Sequence, residues 1–361
     1  SALSNRNLVI NGAMEVAQRG TSAVTVSDGS NEGYTTVDRY YLNFNASIGG
    51  AIAVSQSTDT PSGFANSIKL DCTTANTSIS GTQMIDLQHR FEAQDVQQLG
   101  FGTSDAKSIT VSWYMKAVSF SDNISVTLNT RDGTKEFFAK SFTPTTSWAR
   151  YTMTVPGSTS ATIDNDTGEG LRLSWVVAGS SSGTNAASSD STAFSTTRVD
   201  YRNDIGNLTA STDNELYITG VQLELGEQAT PFEHRSFADE LARCQRYFFQ
   251  VREGSGEFTQ FAHGRFYSTS AGNALVRFPQ PMRANPDLTA LGAAGDYDFS
   301  PTNLPQAGQI ATTANTAGST SDVIAMAVGN NFSSVTTGAM YILGGNAGTG
   351  GNAGIQFDAE I

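Results

Sequence analysis

Five aromatic residues carry the surface chemistry open to this 361-residue chain: Trp113, Trp148 and Trp175, with the adjacent Tyr40 and Tyr41. A flat ring stacks on the apolar face of a pyranose while polar neighbours satisfy the hydroxyls, so these five are the candidate carbohydrate-binding residues. Each also sits inside a strand-like run, where such a ring is more often core. Catalytic arrangements are poorer. GSSSG at 179–183 has the form of a nucleophile elbow, but that motif needs a strand before it and a helix after it, and this one lies in a Ser- and Gly-rich stretch. His89, His234 and His263 share no metal-ligand spacing. Asp164, Asp166 and Glu169 group in DNDTGE without the spacing or the glycine of an EF-hand loop, and read as an acidic turn. Asp296 and Asp298 are a carboxylate pair, but glycosidase chemistry needs a defined separation in space. No catalytic residue is assigned, and the chain is expected not to be an enzyme.

The elements that must position these residues are strands. Thirty-five glycines and a hydrophobic share of 38% point to many turns, and the remainder is rich in the Thr, Ser, Val, Phe and Tyr of strands. Alternating runs such as SIKLDC (67–72), KSITVSWYMKAV (107–118) and LRLSWVVAG (171–179) recur at the spacing of an all-β sandwich, not of βαβ units. Two strand-like runs between 37 and 54 flank Gly49-Gly50 and read as a hairpin. In YITGVQLELG (217–226), period two puts Tyr217, Thr219, Val221, Leu223 and Leu225 on one face and Gln222 and Glu224 on the other.

One helix interrupts this pattern. Ser236 and Asp239 approximate a capping box, and Phe237, Leu241, Cys244 and Phe248 fall at i, i+4, i+7 and i+11 as one apolar stripe. A helix of about 14 residues does not stand alone in water, so the stripe is expected to pack in a seam between domains or about an oligomer axis. The expected organisation is a jelly-roll domain over 1–232, a connecting helix over 233–250 and a smaller β-sandwich domain over 251–361. Cys72 and Cys244 have no metal-type spacing and read as buried free thiols, with a disulfide as the alternative. The net charge of -13 repels phosphate backbones, which argues against nucleic acid as a partner. No apolar run is long enough to span a bilayer and the first residues lack a signal pattern, so a soluble, unprocessed chain without membrane insertion is expected.

Several phrases resemble jelly-roll carbohydrate-binding modules over residues 7–226. NLVINGAMEV resembles their opening N-L-x-x-N-G-x-x-E, SITVSWYMKA a central strand, TSWARYTMTVP their T-x-W-x-x-Y strand and LYITGVQLELG their closing strand. A second resemblance spans nearly the whole chain. NLVINGAMEVAQRGTS, DRYYL, VQLELGEQATPFEHRSFADELARCQRYF, RFPQPMRANP and FDAEI in that order are similar to virion surface proteins of tailed bacteriophages, of the tail-fibre and head-decoration types. That likeness implies a non-enzymatic homotrimer on the virion surface, with other virion proteins and host-surface polysaccharide as partners. It implies attachment to host glycans, with capsid decoration as the alternative and polysaccharide depolymerase third. The module-like segment at the start of the sequence favours a compact knob over a long fibre. The modules also hold a structural calcium ion through the Glu of the opening motif and an Asp of the closing strand; Glu15 matches the first, whereas Thr219 or Gly220 stands at the second. No other cofactor is implied.

Overall fold

The computed structural model describes residues 5–252, 260–266, 268, 271–291, 297–300, 310–315, 324–329, 337, 340–345 and 354–361. Asp296 and most of the glycine-rich stretch 344–354 lie outside them. The chain forms two units, residues 1–240 with Ile361, and residues 241–360.

In the first unit the strands are β1 (Val24–Val26), β2 (Gly33–Tyr34), β3 (Tyr40–Asn45), β4 (Ala51–Ser57), β5 (Ser67–Thr74), β6 (Met84–Glu92) and β7 (Ile109–Val118). They continue as β8 (Ile124–Thr130), β9 (Phe137–Phe142), β10 (Ala149–Val155), β11 (Glu169–Gly179), β12 (Ala186–Ala187), β13 (Tyr201–Arg202) and β14 (Glu215–Leu225). Two six-stranded antiparallel sheets result, ordered β1-β4-β5-β14-β7-β10 and β2-β3-β6-β11-β8-β9. The chain passes repeatedly from one sheet to the other, which makes the unit a jelly-roll sandwich. Its core takes alternate residues from each inner face: Ile85, Leu87, Leu173 and Trp175 from one sheet, Leu70, Val111, Trp113 and Leu216 from the other, all 0% exposed. Trp113 and Trp175 meet edge to face across the sandwich, ring centroids 6.2 Å apart. Burying each of these side chains contributes about 1.5–3 kcal/mol, so the inner faces dominate the unit's stability.

The opening phrase NLVINGAM works as a staple. Asn7, 3% exposed, donates from Nδ2 to the Val221 carbonyl (3.0 Å) and accepts at Oδ1 from the amides of Val9 (3.0 Å) and Leu223 (3.1 Å). Gly12 passes so close to β14 that a Cβ there would lie 2.1 Å from the Val221 oxygen, which excludes any other residue. The phrase TPFEHRS closes the same seam. Arg235 donates to the Val9 carbonyl (2.9 Å) and to that of Asn7, and Glu233 Oε2 accepts from the Asn7 amide (2.7 Å).

Three sequence expectations are corrected. The run 37–54 is not a hairpin: β3 pairs with β2 and β6 whereas β4 pairs with β1 and β5, so Gly49-Gly50 lies on a crossing between sheets. In β14 the alternation breaks at Gly220, where φ is +62° and the register against β7 shifts between Thr219 and Gln222. One extra residue in a strand exchanges its two faces. Leu216 and Ile218 therefore point inward before the bulge and Val221 and Leu223 after it, so Tyr217 and Val221 do not share a face. The helix, α1, is shorter than the stripe required, Phe237–Gln245. Ser236 Oγ caps it by accepting from the Asp239 amide at 3.2 Å. Phe237 is 56% exposed, Leu241 is half-buried and Cys244 is buried. Phe248 is not on the helix at all, because the next strand begins there. Both cysteines are buried and unlinked.

That strand, β15 (Phe248–Arg252), opens the second unit's own β structure, followed by β16 (Gln260–Phe266), β17 (Ala271–Val276), β18 (Asp287–Leu291) and β19 (Tyr297–Ser300). Then come β20 (Ile310–Asn315), β21 (Ile324–Gly329), β22 (Met340–Gly345) and β23 (Gly354–Asp358). They form sheets β15-β23-β18 and β19-β22-β16-β17-β21-β20. Phe357 and Ile355 of the first share one apolar cluster with Phe261, Phe266 and Val276 of the second, so the two sheets pack on each other.

Candidate functional site

The open face of sheet β2-β3-β6-β11-β8-β9 in the first unit carries the site. In β6 the alternation of IDLQHRF sends Ile85, Leu87, His89 and Phe91 into the sandwich and Asp86, Gln88 and Arg90 to the opposite side. Residues directly opposite in antiparallel strands share a face, and the register therefore lays out polar rows across the sheet. Tyr41 stands opposite Gln88, Gln88 opposite Ser174, and Ser174 opposite Thr127. In the next row Arg90, Arg172, Asn129 and Phe137 follow one another across four strands. A cleft of about 420 Å³ opens above these rows.

Its floor is polar and yet buried. Asp86, Gln88, Thr127 and Ser174 are each at most 2% exposed and Asn129 is 8% exposed. Asn43 Nδ2 donates to Asp86 Oδ1 and Gln88 Nε2 to Asp86 Oδ2, both at 2.8 Å. Arg90 in turn donates to Gln88 Oε1 from Nε (2.9 Å) and Nη2 (2.7 Å). Burial pushes the Asp86 carboxyl up, against the opposing pull of Asn43, Arg172, Gln88 and Ser174. Asn129 Oδ1 is the exception to this pairing, a buried acceptor without a partner. Leaving such an atom unmatched costs about 1–3 kcal/mol.

Guanidinium groups crowd the rim. Glu169 takes Arg172 Nε and Nη2, both at 2.6 Å, and Arg131 Nε at 3.2 Å, with Arg90 Nε at 3.9 Å. Burial acts to raise the Glu169 carboxyl, but the Arg172 hydrogen bonds and the charges of Arg172, Arg131 and Arg90 outweigh it and hold the group below its ordinary value. The segment 180–207 covers the other end of the face. Tyr201 fixes it by accepting from the Ser180 amide (3.1 Å) and donating to the Ser180 carbonyl (3.0 Å), and Arg202 Nε holds Asp190 at 2.9 Å. GSSSG is thus a turn clamped by a phenol. From this segment Arg198 and Asp200 reach the cleft.

The structure separates the five aromatic candidates. Trp113 and Trp175 are 0% exposed and Tyr40 is 2% exposed, so none of the three can stack on a sugar. All point inward because alternation and the apolar partner sheet make that side the core. Tyr41, one residue on from Tyr40, takes the open face, with the Arg90 guanidinium 4.0 Å from its ring centroid and Tyr34 edge-on at 5.2 Å. Trp148 belongs to the outer face of the other sheet, where Nε1 donates to Asp59 Oδ1 at 2.9 Å and the ring lies 6.3 Å from Tyr217. Of the five, only Tyr41 shares a face with the cleft. The floor residues were missed in the sequence because they are polar; their signal was the alternation D-x-Q-x-R, T-x-N and R-x-S in runs whose intervening residues are core.

Glu15 is the residue that the module resemblance makes a calcium ligand. It is half-buried, its carboxyl raised by burial and by the charge of Glu240, with His234 opposing. Glu240 is already engaged by the Asn11 amide (2.6 Å) and Arg235 (3.3 Å). Thr219 Oγ1 donates to the Asn66 carbonyl at 2.7 Å, and Gly220 offers no side chain. Among the described residues no group of three His, Cys, Asp or Glu is placed to hold a metal.

No family model and no curated protein matches the chain. Among solved structures it is similar to a family 11 carbohydrate-binding module of a cellulosomal cellulase from Clostridium thermocellum, 10% identical over 59% of this chain and 99% of that one, TM-score 0.30. A putative sugar binding protein from Bacteroides thetaiotaomicron matches at 10% identity over 61% and 100%, TM-score 0.33. The enzymatically active domain of tailspike protein 4 of bacteriophage CBA120 matches at 10% identity over 56% of this chain and 21% of that one, TM-score 0.29. No residue role is carried over from any of them.

Proposed function

We propose that the first unit is a saccharide-binding module and that the cleft on β3, β6, β11 and β8 is its site. The observation that carries this reading is the polar lining of the cleft, where Asn43, Asn45, Gln88, Thr127, Asn129 and Ser174 stand side by side on one sheet face. A hydroxylated ligand satisfies such a floor and an apolar one does not.

Binding, not bond cleavage, fits the two carboxylates of the cleft. Asp86 has both oxygens occupied by Asn43 and Gln88, and Asp200 has Oδ1 held by Arg198 (2.9 Å) and Oδ2 by Asn185 (2.7 Å). Glycoside hydrolysis asks one carboxyl to give a proton and the other to attack or activate water. Both carboxylates are engaged as acceptors within the protein, which supports the non-enzymatic reading.

The sequence likeness to phage virion surface proteins extends the proposal to attachment of a virion to host-surface glycans, with trimeric display multiplying a weak single-site affinity. The test is a glycan-binding assay of the complete protein and of Asn129→Ala and Thr127→Ala, with light scattering for the trimer. Binding lost in both variants while the fold persists supports the module; release of reducing ends from a bound polysaccharide overturns the non-enzymatic reading. Tight binding to phage heads with no glycan affinity favours capsid decoration.

A further inference from the structure

The chain as a whole is acidic, net -13, and its cleft is not. Arg131, Lys135, Arg172 and Arg198 line it against Asp86 and Asp200, and cations still exceed carboxylates when Glu169 at the rim is included. The two lining carboxylates accept on both oxygens, Asp86 from the Asn43 and Gln88 amides and Asp200 from the Asn185 amide and the Arg198 guanidinium. The cations are used unequally. Arg172 spends Nε and Nη2 on Glu169, whereas Arg131 spends only Nε. Arg198 spends Nε on Asp200 and its side chain is 59% exposed. Lys135 is exposed and makes no ion pair among the described residues.

The surroundings favour the charge of Arg172, through Glu169 and Asp86, and oppose that of Arg131. Burial, with the charges of Arg172 and Arg90, holds Arg131 below its ordinary value against the pull of Glu169. Gathering like charges along a half-buried cleft costs stability, and a ligand anion reverses the sign of that contribution. Guanidinium groups with free terminal nitrogens match planar and tetrahedral anions in paired hydrogen bonds, and a nearby ammonium adds a point charge.

We propose that the saccharide taken by this cleft is an acidic one, whose anionic substituent is received by Arg131 and Lys135, with Arg198 lining the same cleft. The inference rests on the reading of the cleft as a saccharide site. The floor binds hydroxyls, the rim selects for charge.

A glycan array of the complete protein, with neutral, uronate-bearing, sulfated and phosphorylated polysaccharides in equal number, tests it. Calorimetric titration of the strongest hit then compares the parent with Lys135→Gln and Arg131→Gln at low and high salt. The expected result is binding concentrated in the acidic members, roughly tenfold weaker in each variant and weaker as salt rises. Which acidic arm responds identifies the substituent as carboxylate, sulfate or phosphate. Lys135 is exposed, so its variant keeps the fold and the comparison interpretable even where Arg131→Gln does not. Binding confined to neutral members, or affinity unaltered in Lys135→Gln and salt-independent, overturns the acidic assignment and leaves the saccharide site standing. No binding to members of either kind overturns the saccharide reading itself.

Discussion

The sandwich of the first unit has two outer faces, and each handles its polar groups differently. On the cleft face the charges outnumber their partners and one buried amide oxygen has none. On the outer face of β1-β4-β5-β14-β7-β10, charges and rings satisfy one another. Lys69 holds Asp71 at 3.0 Å and Glu215 at 2.7 Å, and Lys116 pairs with Asp59. Tyr217 lies under both lysines, and its hydroxyl is pushed up to about 12 by burial and by its hydrogen bond to Glu215. Phe64 packs with Tyr114, Phe232 and His234 at ring-centroid distances of 5.0–5.3 Å, over the bare backbone of Gly220. This second face is the more aromatic and by composition the better sugar platform. Under the proposed function, incomplete pairing marks the receiving surface better than aromatic content does.

Four substitutions test the difference between the faces, beginning with the core that both share. Trp175→Ala should cost about 3–5 kcal/mol in denaturant unfolding, as a large buried ring leaves a cavity that the sheets cannot close. A cost below about 1 kcal/mol would return the ring to the candidate ligand platform. Glu169→Gln comes next, because it strips the carboxylate from a partly buried guanidinium cluster; about 2–3 kcal/mol at neutral pH is expected after discounting for solvent access. The folded-state value of Glu169 lies below its ordinary 4.5, so its stabilisation is full above pH 4.5 and fades as pH falls through the folded value. Asp86 runs the other way. Raised above 3.8, it costs stability as pH rises through the interval between 3.8 and its folded value, and acid relieves that cost. Urea melts at pH 7 and pH 4 should therefore show the Glu169→Gln penalty shrinking in acid, and a penalty that grows instead would contradict the cluster.

Gly220→Ala tests the finished face. With φ at +62° and ring atoms of Phe64 and Tyr114 at 2.7 and 2.8 Å from the position of a Cβ, a loss of about 1–2 kcal/mol in thermal melting is expected. Trp148→Ala should have the smallest effect, under about 1 kcal/mol in stability and none on glycan affinity. If Trp148→Ala abolishes glycan binding while Asn129→Ala spares it, the site belongs on the second face and the lesson drawn from pairing is wrong.

Much of the first unit was legible without coordinates. The runs at 67–72, 107–118 and 171–179 are strands β5, β7 and β11 almost to the residue, because apolar side chains at period two leave few other ways to bury themselves. The capping pair Ser236 and Asp239 is where the helix begins. The candidate site was legible only at Tyr41. Choosing rings over amides follows from the chemistry of sugar stacking, but adjacent Tyr40 and Tyr41 look alike in sequence while facing opposite sides of β3. The stripe ending in Phe248 failed because helical spacing continues on paper past the point where the chain enters β15.

That this chain is built from pleated layers follows from local spacing alone, since alternation is a property of neighbouring residues and each strand carries its own record of it. Which strands become neighbours, and therefore which polar side chains meet, was decided by pairings such as Tyr217 with Lys69 and Arg172 with Arg90, between segments far apart in the chain. The bulge at Gly220 shows how little local change suffices: a single added residue reverses inside and outside for the rest of a strand. The cleft exists because three strands from separate stretches align Gln88, Ser174, Thr127 and Asn129 on one open face. Local spacing fixes a side chain's alternation within its own strand, but only the closing of the sheet gives it neighbours.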